Sequence, residues 1–182
     1  VAQIFSFPNP VNEKAARTVA AGVVVLSVLA AVTGWWVVLL VLAYGFAARV
    51  ATGPRLSPLG QLATRLVAPR LGAAKLVPGP PKRFAQAIGL AFSGTALILN
   101  LTGAHAVSTA LLVVLAVFAT LESALGFCAG CFVFGQLMRV GVIPEDTCEA
   151  CADSRLRQQV NARTDTVVVR PAGRPGASGP DR

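Results

Sequence analysis

Acid is the scarcest chemistry in this chain of 182 residues, which carries 8 Asp and Glu against 16 Lys and Arg. Between Glu13 and Glu145 there is a single carboxylate, Glu122. Histidine occurs once, as His105. This poverty excludes a Ser-His-Asp set and a paired-carboxylate site, and no glycine loop of the nucleotide-binding kind is present. Charged residues make up 13% of the chain, about half the share usual in soluble proteins. Cysteine is also sparse, at 4 residues, and all four sit in two C-x-x-C pairs. What fills the chain instead is apolar, 54% of it. That composition points to a membrane protein. The net charge of +8 does not suggest nucleic acid, because the basic residues lie between apolar runs and not on one soluble module.

Residues 18–48 are almost unbroken apolar sequence. A bilayer core of ~30 Å takes about 20 helical residues, so this run is too long for one ordinary span. "TGWW", residues 33–36, supplies turn residues and an interfacial tryptophan pair. The expectation is two short spans, about 18–33 and 35–50; the rival is one long tilted span. The first run reads as a retained membrane helix and not a cleaved signal. Residues 84–125 repeat the theme, with "NLTGAH" as the turn, since Asn100, Gly103 and His105 sit poorly in lipid.

Between the runs, residues 51–83 hold Arg55, Arg65, Arg70, Lys75, Lys82 and Arg83 and no acid. "SPLGQLATRLV" reads as a short amphipathic helix, with Ser57 as N-cap and Pro58 in the first helical position. Leu59, Leu62 and Leu66 then share one face, and "VPGPP" ends the segment. Both expected turns lack Lys and Arg, whereas the N-terminal segment, the connector and the C-terminal segment are basic. The positive-inside rule therefore puts the connector and both termini in the cytoplasm, with the basic residues near anionic lipid headgroups.

The pairs Cys128/Cys131, in "GFCAGCFVFG", and Cys148/Cys151, in "TCEACAD", follow the last span. Three readings stay open. The C-x2-C…C-x2-C spacing suits a four-cysteine zinc site formed by Cys128, Cys131, Cys148 and Cys151. Alternatively each pair opens a helix, where the N-terminus lowers a thiol's pKa, and the two pairs exchange disulfides. In that reading the second pair is the exposed one, with Thr147 capping a helix from Cys148. The third reading makes the cysteines small buried hydrophobes. Glu122 lies near the end of the fourth span, where a carboxylate either takes a thiol proton, pairs with Arg139 or a connector base, or reaches headgroup water. Gly126/Gly130 and Ala85/Gly89/Ser93 read as packing stripes, and His105 has no ligand partner at suitable spacing. A transporter or channel is the weaker class, given so few spans and one intramembrane acid.

"FPNPVNEKAAR", "GPRLSPLGQLATRLVAP", "VPGPPKRFAQAIG" and "LGFCAGCFVF" occur in that order. Together they resemble a bacterial, actinobacterial-type family of small integral membrane proteins, domain of unknown function 4395, over about residues 5–140. "PKRFAQ" and "GFCxGC" are its specific parts. The resemblance implies four membrane helices and an association with thioredoxin-like or sulfurtransferase proteins, which favours thiol chemistry at Cys128 and Cys131.

The fold expected is an all-α membrane protein with four transmembrane helices in two hairpins and a cytoplasmic amphipathic connector. Its segments are 1–17 (N-terminal), 18–50 (first hairpin), 51–83 (connector), 84–125 (second hairpin), 126–159 (cysteine-containing) and 160–182 (disordered tail). The function expected is thiol-redox or sulfur transfer in the plasma membrane, by Cys128, Cys131, Cys148, Cys151 and Glu122. Its partner would be thioredoxin-like or rhodanese-like. The alternative is a non-enzymatic scaffold whose four cysteines bind one zinc. Either form is compatible with a homo-oligomer or a larger membrane complex.

Overall fold

The computed structural model describes residues 7–148 and is mostly helical. Among the described residues, the long elements are α1 (Glu13–Thr33), α2 (Trp36–Thr52), α4 (Gly79–Leu101) and α5 (His105–Thr120). Between α2 and α4 lies a short helix, α3 (Pro58–Leu62), and after α5 comes α6 (Ala129–Arg139). The calls on Cys151, on a helix beyond Cys148 and on the tail 160–182 fall outside the described residues.

Each boundary has a local cause. Asn12 caps α1, its Oδ1 accepting from the Lys14 N–H at 3.0 Å, and Glu13 puts negative charge at the positive end of the helix. At the other end Gly34 adopts φ 64°, a left-handed conformation that donates its N–H back to Ala30 O and stops the helix. The chain restarts at Trp36, so the apolar run is two helices and not one long span, broken where the "TGWW" turn was expected. Pro80 and Pro81 end nothing: they open α4, in whose first turn a missing N–H costs no intrahelical bond. The helix thus starts ahead of Arg83.

The helices pack α1 on α5, α2 on α4, and α4 on α5, around a core of Val19, Val23, Leu39, Leu42, Phe46, Ala96, Leu112 and Leu115. Buried serines replace bulk at close approaches; Ser108 Oγ donates to Ala96 O at 2.8 Å, tying α5 to α4. Ala85, Gly89 and Ser93 do form a packing stripe, and a methyl at Gly89 would overlap the Phe46 ring of α2. The outward faces are apolar, with Val25, Leu29, Leu40, Val41, Ile98, Val113 and Val117 all exposed. Small and hydroxyl-bearing residues at the close helix contacts, with large apolar side chains on the outward faces, are the distribution of a membrane bundle. Three stretches, Glu13–Thr33, Gly79–Leu101 and His105–Leu125, are long and apolar enough to cross a membrane. Helix α2, at 17 residues, is the shorter apolar one.

The basic segments gather at one end of the bundle. A two-residue antiparallel pairing joins β1 (Val11–Asn12) to β2 (Leu76–Val77), with Val11 opposite Val77. Glu13 meets Lys75 at 2.7 Å, Lys14 Nζ donates to Leu71 O, and Arg17 donates to the carbonyls of Ser123 and Ala124. The connector therefore lies against the start of α1 and the end of α5, with both tight turns at the far end.

The expected leucine face is split. After α3 the backbone widens into a π turn over Ala63–Val67 and tightens into a 3₁₀ turn over Ala68–Leu71. Leu59 packs on the core, where a methyl at Gly22 would come within 2.6 Å of its Cδ1, while Leu62 and Leu66 are exposed. A change of helical period moves later residues off the face that simple spacing assigns.

Candidate functional site

Four elements build the site. Helix α5 runs into a π turn at Leu121–Leu125, which carries Glu122. Gly126, at φ 70°, then reverses the chain. Because Gly126 ends that turn, Gly126 and Gly130 are not a helical stripe; they do separate jobs. Gly130 lies against Ala85, where an added methyl would come 2.6 Å from Ala85 Cβ and 2.7 Å from its Cα. This close approach, with the edge-on contact of Phe84 and Phe134 at 5.6 Å, lays α6 on the first turns of α4.

Cys128 is the N-cap of α6, its Sγ accepting from the Cys131 N–H at 3.3 Å. The two cysteines are joined in a disulfide with Cα atoms 5.2 Å apart. As the spacing suggested, "GFCAGC" opens a helix that runs through "FVFGQLMR". Both cysteines are half-buried.

Cys128 lies in the wall between two cavities. The inner one, about 170 Å³, sits within the bundle among apolar residues of α1, α4 and α5, and also touches Gln86 and Glu122. The outer one, about 760 Å³, is a groove that Cys128 and Cys131 line together with Phe127, Phe132, Lys82 and Arg139. The same wall holds an ion pair, Lys82 Nζ donating to Glu122 Oε1 at 2.6 Å, with side chains only 10% and 15% exposed. Glu122 thus meets a connector base and not Arg139.

Behind this wall sits Arg49, 5% exposed. Its Nε donates to Gln86 Oε1 at 2.6 Å, one terminal nitrogen donates to Ser57 Oγ at 3.2 Å, and its guanidinium lies 4.5 Å from the Phe46 ring centre. The other terminal nitrogen is buried without a hydrogen-bond partner among the described residues. Sequence reasoning passed over Lys82, Gln86 and Arg49 as functional residues. The available signal was "PKRFAQ": Lys82, Gln86, Gly89 and Ser93 recur at helical spacing on one face of α4.

Cys148 ends a 3₁₀ turn, Glu145–Cys148, and is buried at 5% exposure, so the expectation of an exposed second pair fails at this residue. It too is disulfide-bonded. Among the described residues no group of three or more His, Cys, Asp or Glu is arranged to hold a metal ion. A zinc site needs thiolates, whereas Cys128, Cys131 and Cys148 are engaged in disulfides.

Residues 11–139 match the model of one protein family, described as Domain of unknown function (DUF4395). No curated protein and no solved structure matches the chain.

Proposed function

The chain belongs to the DUF4395 family, and from the site we propose that it is a four-span membrane protein carrying out thiol–disulfide exchange at Cys128 and Cys131. The observation that carries this reading is the paired cysteines at the N-terminus of α6, in the wall of an open groove that Glu13, Lys82 and Arg139 also line.

The chemistry follows from which sulfur leaves better. A thiolate from the dithiol of a soluble thioredoxin-like partner attacks Cys131 Sγ, which lines the groove. The S–S bond breaks and Cys128 leaves as thiolate, held by the Cys131 N–H and the positive end of α6. A lower thiol pKa makes the better leaving group. The partner's second thiolate then attacks its own sulfur in the mixed disulfide and releases Cys131. Two electrons pass from the partner dithiol to this chain, and the partner leaves oxidised. Arg139 favours thiolate charge in the groove, while Phe127 and Phe132 offer apolar contact.

For topology, α2 acts as the fourth span. Its 17 residues cover about 25 Å, and its exposed Val37, Leu40, Val41 and Tyr44 match the outward faces of the longer helices. Slight thinning of the bilayer accommodates the shortfall. The end holding the connector and the cysteines is the cytoplasmic one by its basic residues, in the plasma membrane.

The test is differential alkylation of the full chain in nanodiscs. Cys128 and Cys131 resist maleimide before dithiothreitol, label after it, and are protected again after treatment with a thiol oxidant. Equal labelling with and without reductant removes the redox reading. Zinc bound at one per chain and lost in Cys148→Ser would replace it with the scaffold reading.

A further inference from the structure

The inner cavity has no role in exchange with a soluble partner, yet Cys128 lines it. Resting on the thiol-exchange reading, we propose that this cavity binds the ring of a lipid-soluble quinone, which takes electrons from the reduced Cys128/Cys131 pair. Its volume is about 170 Å³, and an apolar cavity of about 150 Å³ holds a benzene ring. The walls are mainly apolar, with Val19, Val23 and Phe46 among them. Of its two polar side chains, Gln86 can donate to a carbonyl oxygen of the ring, while the Glu122 carboxylate, which only accepts, suits a hydroxyl of the reduced ring. Gln86 suits the task because its Oε1 is already held by Arg49, which leaves its amide N–H groups as donors. Phe118 and Val133 line the cavity and are also exposed on the outside of the bundle, so it reaches the face that lipid covers. A carrier dissolved in the bilayer has a way in there. A soluble protein meets the pair from the groove.

The reaction balances. The two cysteine thiols give up two electrons and two protons. The Cys128–Cys131 S–S bond forms, and the ring's two carbonyls become hydroxyls. Exchange with a partner dithiol then regenerates the two thiols. The leaving sulfur in that exchange, Cys128, is the one that faces the quinone cavity, so each half-reaction uses its own side of the wall.

The full chain in nanodiscs, reduced and desalted without oxygen, is mixed with decylubiquinone, whose fully substituted ring excludes direct thiol addition. The expected result is one quinol per chain, with Cys128 and Cys131 losing maleimide reactivity together. Ala119, on α5, lines the cavity; Ala119→Phe fills it and slows quinone reduction at least tenfold but leaves oxidation of the pair by diamide unchanged, and Ala119→Val gives a smaller slowing, should the larger ring disturb folding. Gly94→Leu, where the added side chain meets open space, changes neither rate. Quinone left oxidised while diamide and dithiothreitol still cycle the pair overturns this inference and leaves the exchange reading standing. Unchanged quinone reduction in a folded Ala119→Phe also overturns it. A pair that cycles with no reagent removes both readings.

Discussion

Removing Lys82 or Glu122 singly should cost more than removing both, and the two single losses should differ. The ion pair is 2.6 Å long between side chains 10% and 15% exposed. Stranding one partner of such a pair costs about 3–5 kcal/mol, whereas an apolar pair of similar volume is near neutral. The two sides of the wall set where in this range each variant falls. Lys82 lines the 760 Å³ groove, so in Glu122→Leu water reaches the stranded ammonium and the loss is about 3 kcal/mol. Glu122 lines the mainly apolar cavity, so in Lys82→Met the carboxylate keeps only the charge of Arg49 to offset its burial and the loss is about 5 kcal/mol. For a chain of this size these correspond to roughly 6–20 °C in melting temperature. The assay is thermal unfolding in detergent of the two single variants and of Lys82→Met with Glu122→Leu. The double variant should recover most of the loss, so that the coupling is nearly as large as the two single losses taken together. Effects that add within about 0.5 kcal/mol would refute the idea that these groups meet across the wall.

Other outcomes follow from single contacts. Gly130→Val drives a side chain into the Ala85 backbone; overpacking of about 1–3 kcal/mol should lift α6 from α4 and speed reduction of the disulfide, read by the rate of alkylation under limiting dithiothreitol. Ser57→Ala removes a cap and a partner of buried Arg49, at about 1 kcal/mol for the cap and about 1–3 more for the guanidinium, read as a lowered midpoint in thermal unfolding. Gly34→Ala keeps its space but not its backbone freedom at φ 64°, and should destabilise by about 1–2 kcal/mol in the same assay. In a variant lacking the four native cysteines, Gly103→Cys should label with an impermeant maleimide from outside whole cells; labelling only after lysis would invert the proposed orientation.

The breaks between helices were legible because they depend on local chemistry. Thr33–Gly34 and Asn100–Gly103 each announce a turn, and the structure bends at both. The start of α6 was legible for the same reason. Registers after a change of helical period were not. The π turn at Ala63–Val67 separates Leu59 from Leu62 and Leu66, and the one at Leu121–Leu125 reorients Glu122 before the reversal at Gly126. Neither turn has a residue signature in the chain. Straight helical spacing set Glu122 near Cys128 on one continuous helix; the observed route is a reversed chain, which brings both residues to the same cavity. Lys82 was hidden by its neighbours: a lysine after two prolines reads as connector until those prolines are recognised as the first turn of α4.

The location of the cysteine pair depends on backbone contacts more than on the cysteines themselves. Gly126 permits the reversal after α5, and Gly130 permits α6 to lie on Ala85. Without the first, Cys128 would continue along the axis of α5, away from the groove. Without the second, α6 would stand off α4 and the wall between the cavities would open. The Lys82–Glu122 pair closes that wall from the side of α4 and α5. Two glycines and one ion pair therefore hold a sulfur where an apolar space and an open groove meet. A structural disulfide needs only a matched pair of Cβ atoms, so the inner cavity is the feature that a structural role leaves unused and that the proposed electron transfer across the wall requires.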